Sequence, residues 1–159
     1  MKQLMMVLMM TLISFTTYSQ TIGVSANSSE NGAGYGFYLE DDNNTFGLEY
    51  QKGATLNLDE VQSQQYLNGE IDSYTAGSSF YNIGAYWYVY KSSSTKFLGG
   101  IGVQTKTDIT TRGDINSTHF YSNFGFKYQL DKLVSFKASY QYVPQGGIDS
   151  IVIGMGFNL

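Results

Sequence analysis

The only histidine of the chain, His119, is the first place to look for chemistry. With Ser117 and either Asp108 or Asp114 it could supply a base, a nucleophile and an orienting acid, the set used in acyl transfer and peptide hydrolysis. Such a set works only in a fixed mutual geometry, which spacing alone does not supply. His119 near the outer end of a strand is therefore read as structural, and the chain as a non-enzyme. The acidic residues Asp59, Glu60, Glu70 and Asp72 could gather a divalent cation. They lack the ordered Asp/Asn/Gly spacing of a calcium loop and read as a solvated loop. With no Cys, neither disulfides nor thiol chemistry is available, and one His leaves zinc without a ligand set. The stretches "GAGYGF" and "GGIGV" look like phosphate loops, but each lies within a strand pattern and no helix follows. No catalytic residue, cofactor or metal is expected.

A second group of polar residues is more telling. Glu49, Lys96, Lys127 and Lys137 are isolated charges on a face otherwise made of Gly, Ser, Gln and Asn. Charged residues are only 14% of the chain and the net charge is −4, with no basic patch for nucleic acid. Sparse charges on a small-residue face suit a crowded interior, where each must find a partner. The expectation is an internal network of ion pairs and hydrogen bonds.

The elements that would position these residues alternate with period two almost throughout. In 151–159, Ile151, Ile153, Met155, Phe157 and Leu159 share one face. In 117–129, Phe120, Phe124, Phe126 and Tyr128 oppose His119, Tyr121, Asn123, Gly125 and Lys127. No sustained helical periodicity is found. Strands are expected at 21–30, 33–41, 44–56, 74–90, 95–106, 117–129, 133–143 and 147–159, eight in all. A turn at Asn31-Gly32 would pair Val24 with Leu39, and one at Asp42-Asn43 would pair Phe37 with Leu48. A turn at 130–132 would pair Tyr128 with Val134, and one at Gln145-Gly146 would pair Tyr140 with Ile151. Large residues opposite Gly suggest a tight, filled interior. The loops 57–73 and 107–116 are long, while the connections on the side of the chain termini are short.

The N-terminus reads as a secretory signal peptide over 1–19: Lys2, an apolar run from Leu4 to Phe15, then "TTYSQ". That run is about a dozen residues, short of the roughly 20 a spanning helix needs. Residues 20–159 then form one domain. Signal peptide, even strand count and loop asymmetry together resemble the small eight-stranded outer-membrane β-barrel proteins, the OmpA/OmpX-like or porin-family barrel domains. The resemblance implies an all-β, antiparallel, up-and-down transmembrane barrel in a bacterial outer membrane, with both termini periplasmic. It implies outer-membrane lipid as surroundings, a barrel-assembly machinery as partner during insertion, and a monomer. The closing "GMGFNL", through Gly154, Phe157 and Leu159, resembles the terminal assembly signal of such barrels. Trp87, Tyr90 and Tyr128 would be aromatic residues at the periplasmic interface. The expected role is structural or surface interaction through 57–73 and 107–116 around a side-chain-filled lumen. The alternatives are a narrow channel for ions or small solutes and a soluble secreted barrel binding an apolar ligand.

Overall fold

A computed structural model describes residues 19–30, 32–41, 45–56 and 60–159. Eight strands are present: β1 Ser19–Ser29, β2 Gly32–Asp41, β3 Phe46–Leu56, β4 Thr75–Lys91, β5 Thr95–Thr110, β6 Gly113–Gln129, β7 Val134–Tyr142 and β8 Ser150–Asn158. Among the described residues one helix, α1 Glu60–Leu67, interrupts them between β3 and β4. Each strand pairs antiparallel with the next, and β8 returns to β1 from Thr21↔Asn158 to Ser28↔Ile151. The sheet is a closed barrel without a free lateral edge at this level. Of the sequence expectations, residues 1–18 of the 1–19 signal peptide and the Asp42-Asn43 turn lie outside the described residues, as do Asn31 and Asp59.

Alternation decides which side chains point inward. Tyr38, Phe80 and Tyr86 are fully buried inside, and each has a glycine where a neighbour would otherwise collide. A Cβ at Gly23 would overlap the Tyr38 ring, one at Gly47 the Tyr86 ring, and one at Gly53 the Phe80 ring. An eight-stranded barrel has an interior just wide enough for side chains to fill, so large residues require small ones opposite.

Three hairpin registers differ from expectation, each by two residues. Val24 pairs with Phe37 rather than Leu39, because the ladder runs on to Ser29↔Gly32. Gly32 is instead a strand residue, where a side chain would run into the Ala54 carbonyl. Phe37 pairs with Tyr50 rather than Leu48. Here the Asp41 carboxylate accepts hydrogen bonds from the Thr45 and Phe46 amides, the latter at 2.9 Å, which lengthens the loop. Tyr128 pairs with Phe136 rather than Val134. The Asp131 side chain accepts from the amides of Leu133 and Val134, both at 2.7 Å, and draws Leu133 into the turn. The fourth register, Tyr140↔Ile151, is as expected. Its turn has positive φ at both Gln145 (61°) and Gly146 (86°), the conformation of a type I′ turn.

Two connections also differ. The segment 107–116 is not a loop: β5 and β6 run on as a hairpin to Thr110↔Gly113. Alternating Thr, Asp and Asn residues there pair well enough to extend the ladder. Within 57–73 lies α1, "EVQSQQYL", none of whose residues is buried. It lacks an apolar stripe, so periodicity could not reveal it. Glu60 favours its N-terminal dipole, and Gly69 (φ 74°) follows its end.

Candidate functional site: a filled polar lumen

The inward faces build a stack of polar groups along the barrel axis. Nearest the termini, Glu40 of β2 is fully buried. It forms an ion pair with Lys127 of β6 and accepts hydrogen bonds from the Tyr86 hydroxyl, at 2.8 Å, and the Tyr88 hydroxyl. Above it, Glu49 of β3 takes four donors. Lys137 Nζ lies at 3.0 Å, Asn123 Nδ2 at 2.6 Å, Gln141 Nε2 at 2.9 Å and the Tyr121 hydroxyl at 3.2 Å. Lys137 is also held between aromatic faces, 3.7 Å from the Tyr86 centroid and 4.5 Å from that of Tyr38.

A layer of amides comes next. Gln141 Oε1 accepts from Asn82 at 2.7 Å and from Ser150 at 3.0 Å, and Gln104 donates to Asn82 Oδ1 at 2.9 Å. Gln104 also exchanges hydrogen bonds with the backbone of Ile148, at 2.8 and 3.0 Å, and so fastens the β7–β8 loop over the lumen. Beside it, Gln51 bridges Asn27 and Ser25 at 3.0 and 2.9 Å. At the far mouth lies an open cavity of about 610 Å³, lined among others by Glu30, Ser78, Lys106, Asp108 and Asp149. Lys106 and Asp108 are paired there at 3.0 Å.

Of the four charges expected inside, Glu49, Lys127 and Lys137 sit buried in this network. Lys96 is half-buried near the rim on the termini side, 5.6 Å from the Tyr88 ring centroid, and makes no salt bridge among the described residues. Glu40 belongs to the network as well and is not among the residues expected from the sequence. The signals for it are its parity with Tyr38 and Gly36, which places it inward, and the excess of lysines over carboxylates in the expected set. At the other end, Ser117 and His119 meet, with Nε2 2.9 Å from the hydroxyl oxygen. Asp108 is occupied by Lys106 and Ser78, and Asp114 pairs with Ile109 on the outward face. No carboxylate hydrogen bonds to the imidazole among the described residues. Asp72 is salt-bridged to Arg112 at 3.1 Å, and Glu70 lies beside Asn68 at 3.5 Å.

The exterior is the reverse of the interior. Val24, Ile83, Ile101 and Ile153 stand about half exposed or more around the barrel. Trp87, Tyr90 and Tyr128 are exposed at the termini-side ends of β4 and β6. Gly154 faces Tyr38 inside, while Phe157 and Leu159 face outward at the same rim as the aromatics. An apolar exterior around a polar interior is the arrangement of a barrel that crosses a membrane.

Solved structures share this architecture. The N-terminal barrel domain of OprF from Pseudomonas aeruginosa superposes with a TM-score of 0.53 at 16% identity, over 89% of this chain and 99% of that one. The fold is that of the eight-stranded outer-membrane barrels. The attachment invasion locus protein Ail of Yersinia pestis, in a phospholipid bilayer nanodisc, gives a TM-score of 0.59 at 13% identity, over 89% and 99% of the two chains. Neisserial surface protein A gives 0.54 at 14% identity, over 87% and 96%. No protein-family model and no curated protein matches the sequence. The barrel is thus an eight-stranded, antiparallel, up-and-down transmembrane β-barrel.

Proposed function

We propose that the protein is an integral outer-membrane protein with a closed lumen, acting through the surface it presents at the end opposite its termini. The observation that carries this reading is the pair of buried, crosswise ion pairs, Glu40–Lys127 and Glu49–Lys137, with the Gln104–Asn82–Gln141 layer above them. Together they occupy the axis that a solute would follow. A soluble barrel carrying an apolar ligand would need the opposite distribution, with apolar residues inside and charges outside. The start of β1 and the end of β8 lie at one rim, taken as periplasmic, where Gly154, Phe157 and Leu159 would be read by the assembly machinery.

At the other rim, β4, β5 and β6 are 16 or 17 residues long, while β7 and β8 have 9. Pairing of β6 with β7 stops at Ser122↔Tyr142. From Gly113 to Tyr121, β6 therefore pairs only with β5 and offers an open backbone edge. Such an edge suits strand addition by an extended segment of a partner protein. The 57–73 connection with α1 stands at the same rim.

A narrow channel is the second reading. It is favoured by buried polar atoms in the lumen that lack a protein partner, namely Tyr38 OH, Asn123 Oδ1 and Ser139 Oγ, which water could satisfy. Planar-bilayer recording of the refolded protein separates the two. The closed-lumen reading expects no discrete conductance steps. Reproducible steps that change on Lys137→Met would overturn it.

A further inference from the structure

The outward face of the barrel carries one charge where none is expected. Between Asp41 at the termini-side rim and Asp114 near the β5–β6 tip, Lys52 is the single charged side chain that the described strands turn outward. It stands past the middle of β3, toward the end opposite the termini. Its direct cross-strand partners are Tyr35 on β2 and Tyr81 on β4. Tyr50, two residues before it on the same face, has its ring 6.4 Å from that of Tyr81. Lys52 Nζ lies 5.4 Å from the Tyr81 centroid.

A cation facing lipid costs free energy that falls toward the interface. A lysine can lift its ammonium along the barrel wall toward the headgroups on its flexible stem. What Lys52 lacks is an anion, since no salt bridge among the described residues includes it. The hydroxyls of Tyr35, Tyr50 and Tyr81 are likewise not engaged by any hydrogen bond among the described residues. One ammonium and three phenol donors, gathered on a surface whose only neighbour is lipid, match a phosphate monoester. We propose that Lys52, Tyr35, Tyr50 and Tyr81 form a binding site for the phosphate group of an outer-leaflet lipid. The rings would pack against the sugar part of the headgroup, and the Lys52 charge would hold the phosphate at the height of the tyrosines. This inference rests on the membrane-spanning reading above.

The test uses the full mature chain refolded into phosphatidylcholine nanodiscs that contain a small share of bis-phosphorylated lipid A or of the same lipid with its phosphates removed. Heat-modifiable migration reports insertion. Native mass spectrometry then counts the glycolipid retained per barrel. The wild type should retain the phosphorylated lipid about tenfold better than the dephosphorylated one, as expected for a charge-assisted contact. Lys52→Gln should abolish that preference, Lys52→Arg should keep it, and Tyr81→Phe should reduce it. Equal retention of both lipids by the wild type, or an unchanged preference in an inserted Lys52→Gln barrel, would overturn the site while leaving the membrane reading intact. If the wild type itself does not insert, the membrane reading falls and the site falls with it.

Discussion

Replacing Glu49 by Gln is the sharpest perturbation of the lumen. The substitution keeps size and shape and removes one charge. Glu49 has four donors, so the single carbonyl oxygen of the substituted side chain cannot serve them all. Its new amide group must also face either the Lys137 ammonium or the Asn123 and Gln141 amides, donor against donor. Lys137 is then a buried cation without its anion. Removing one partner of a buried pair costs about 3–5 kcal/mol. The Tyr38 and Tyr86 rings hold the ammonium in wild type and variant alike, so they do not make up for the lost carboxylate. The loss should be about 3–5 kcal/mol, a large part of the ~5–15 kcal/mol typical of a folded domain.

Urea unfolding of the protein in phosphatidylcholine vesicles measures this loss. Trp87 is the only tryptophan and lies on the outward face, so its emission reports transfer between lipid and water. The control is the double variant Glu49→Gln/Lys137→Met, which removes both charges and keeps the volume of the lysine stem. It should recover to within ~1 kcal/mol of the wild type, because replacing a whole buried pair is close to neutral. A Glu49→Gln loss below ~1 kcal/mol would refute the argument that Lys137 depends on this carboxylate. So would a double variant as unstable as the single one, because the loss would then come from packing and not charge.

Other consequences can be measured on the same footing. Gly47→Val drives a branched side chain into the buried Tyr86 ring and should lower stability by ~2 kcal/mol or more, read from the urea midpoint. Exchanging residues 58–73, with α1, for a short Gly-Asn turn should leave the barrel able to fold, because no residue of α1 is buried. Heat-modifiable migration would show this, and loss of the folded band would contradict it. Deleting Phe157–Leu159 removes the Phe157 pairings with Ile22 and Val134 together with the proposed assembly signal. Outer-membrane fractionation should find the truncated chain absent, and normal insertion would remove those residues from assembly.

The faces of this barrel were legible because they depend only on parity. In Phe124–Tyr128 or Ile151–Leu159, every second residue is large and apolar, and no helix could arrange them so. The three misplaced registers show how far this reaches. In each, the pairing moved by two residues, from Val24↔Leu39 to Val24↔Phe37 for example, and a move of two keeps every side chain on its own face. Inside and outside therefore survive an error in the turn. What does not survive is the identity of neighbours.

That loss explains what was hidden in the lumen. With Phe37 opposite Leu48, Tyr38 would face Gly47, and the barrel would have only a large residue over a small one at that point. In the actual register Tyr38 faces Glu49, and Gly47 lies between Glu40 and Tyr86. This shift brings Tyr38 and Tyr86 around the Lys137 ammonium. It also puts the Tyr86 hydroxyl on Glu40. The decisive groups were the Asp41 and Asp131 carboxylates, which cap the loop amides and lengthen two turns. Neither residue lies in the lumen, yet together they decide which anion each buried lysine meets. Any variant that shortens those loops should act on the ion pairs as strongly as a substitution in the pairs themselves.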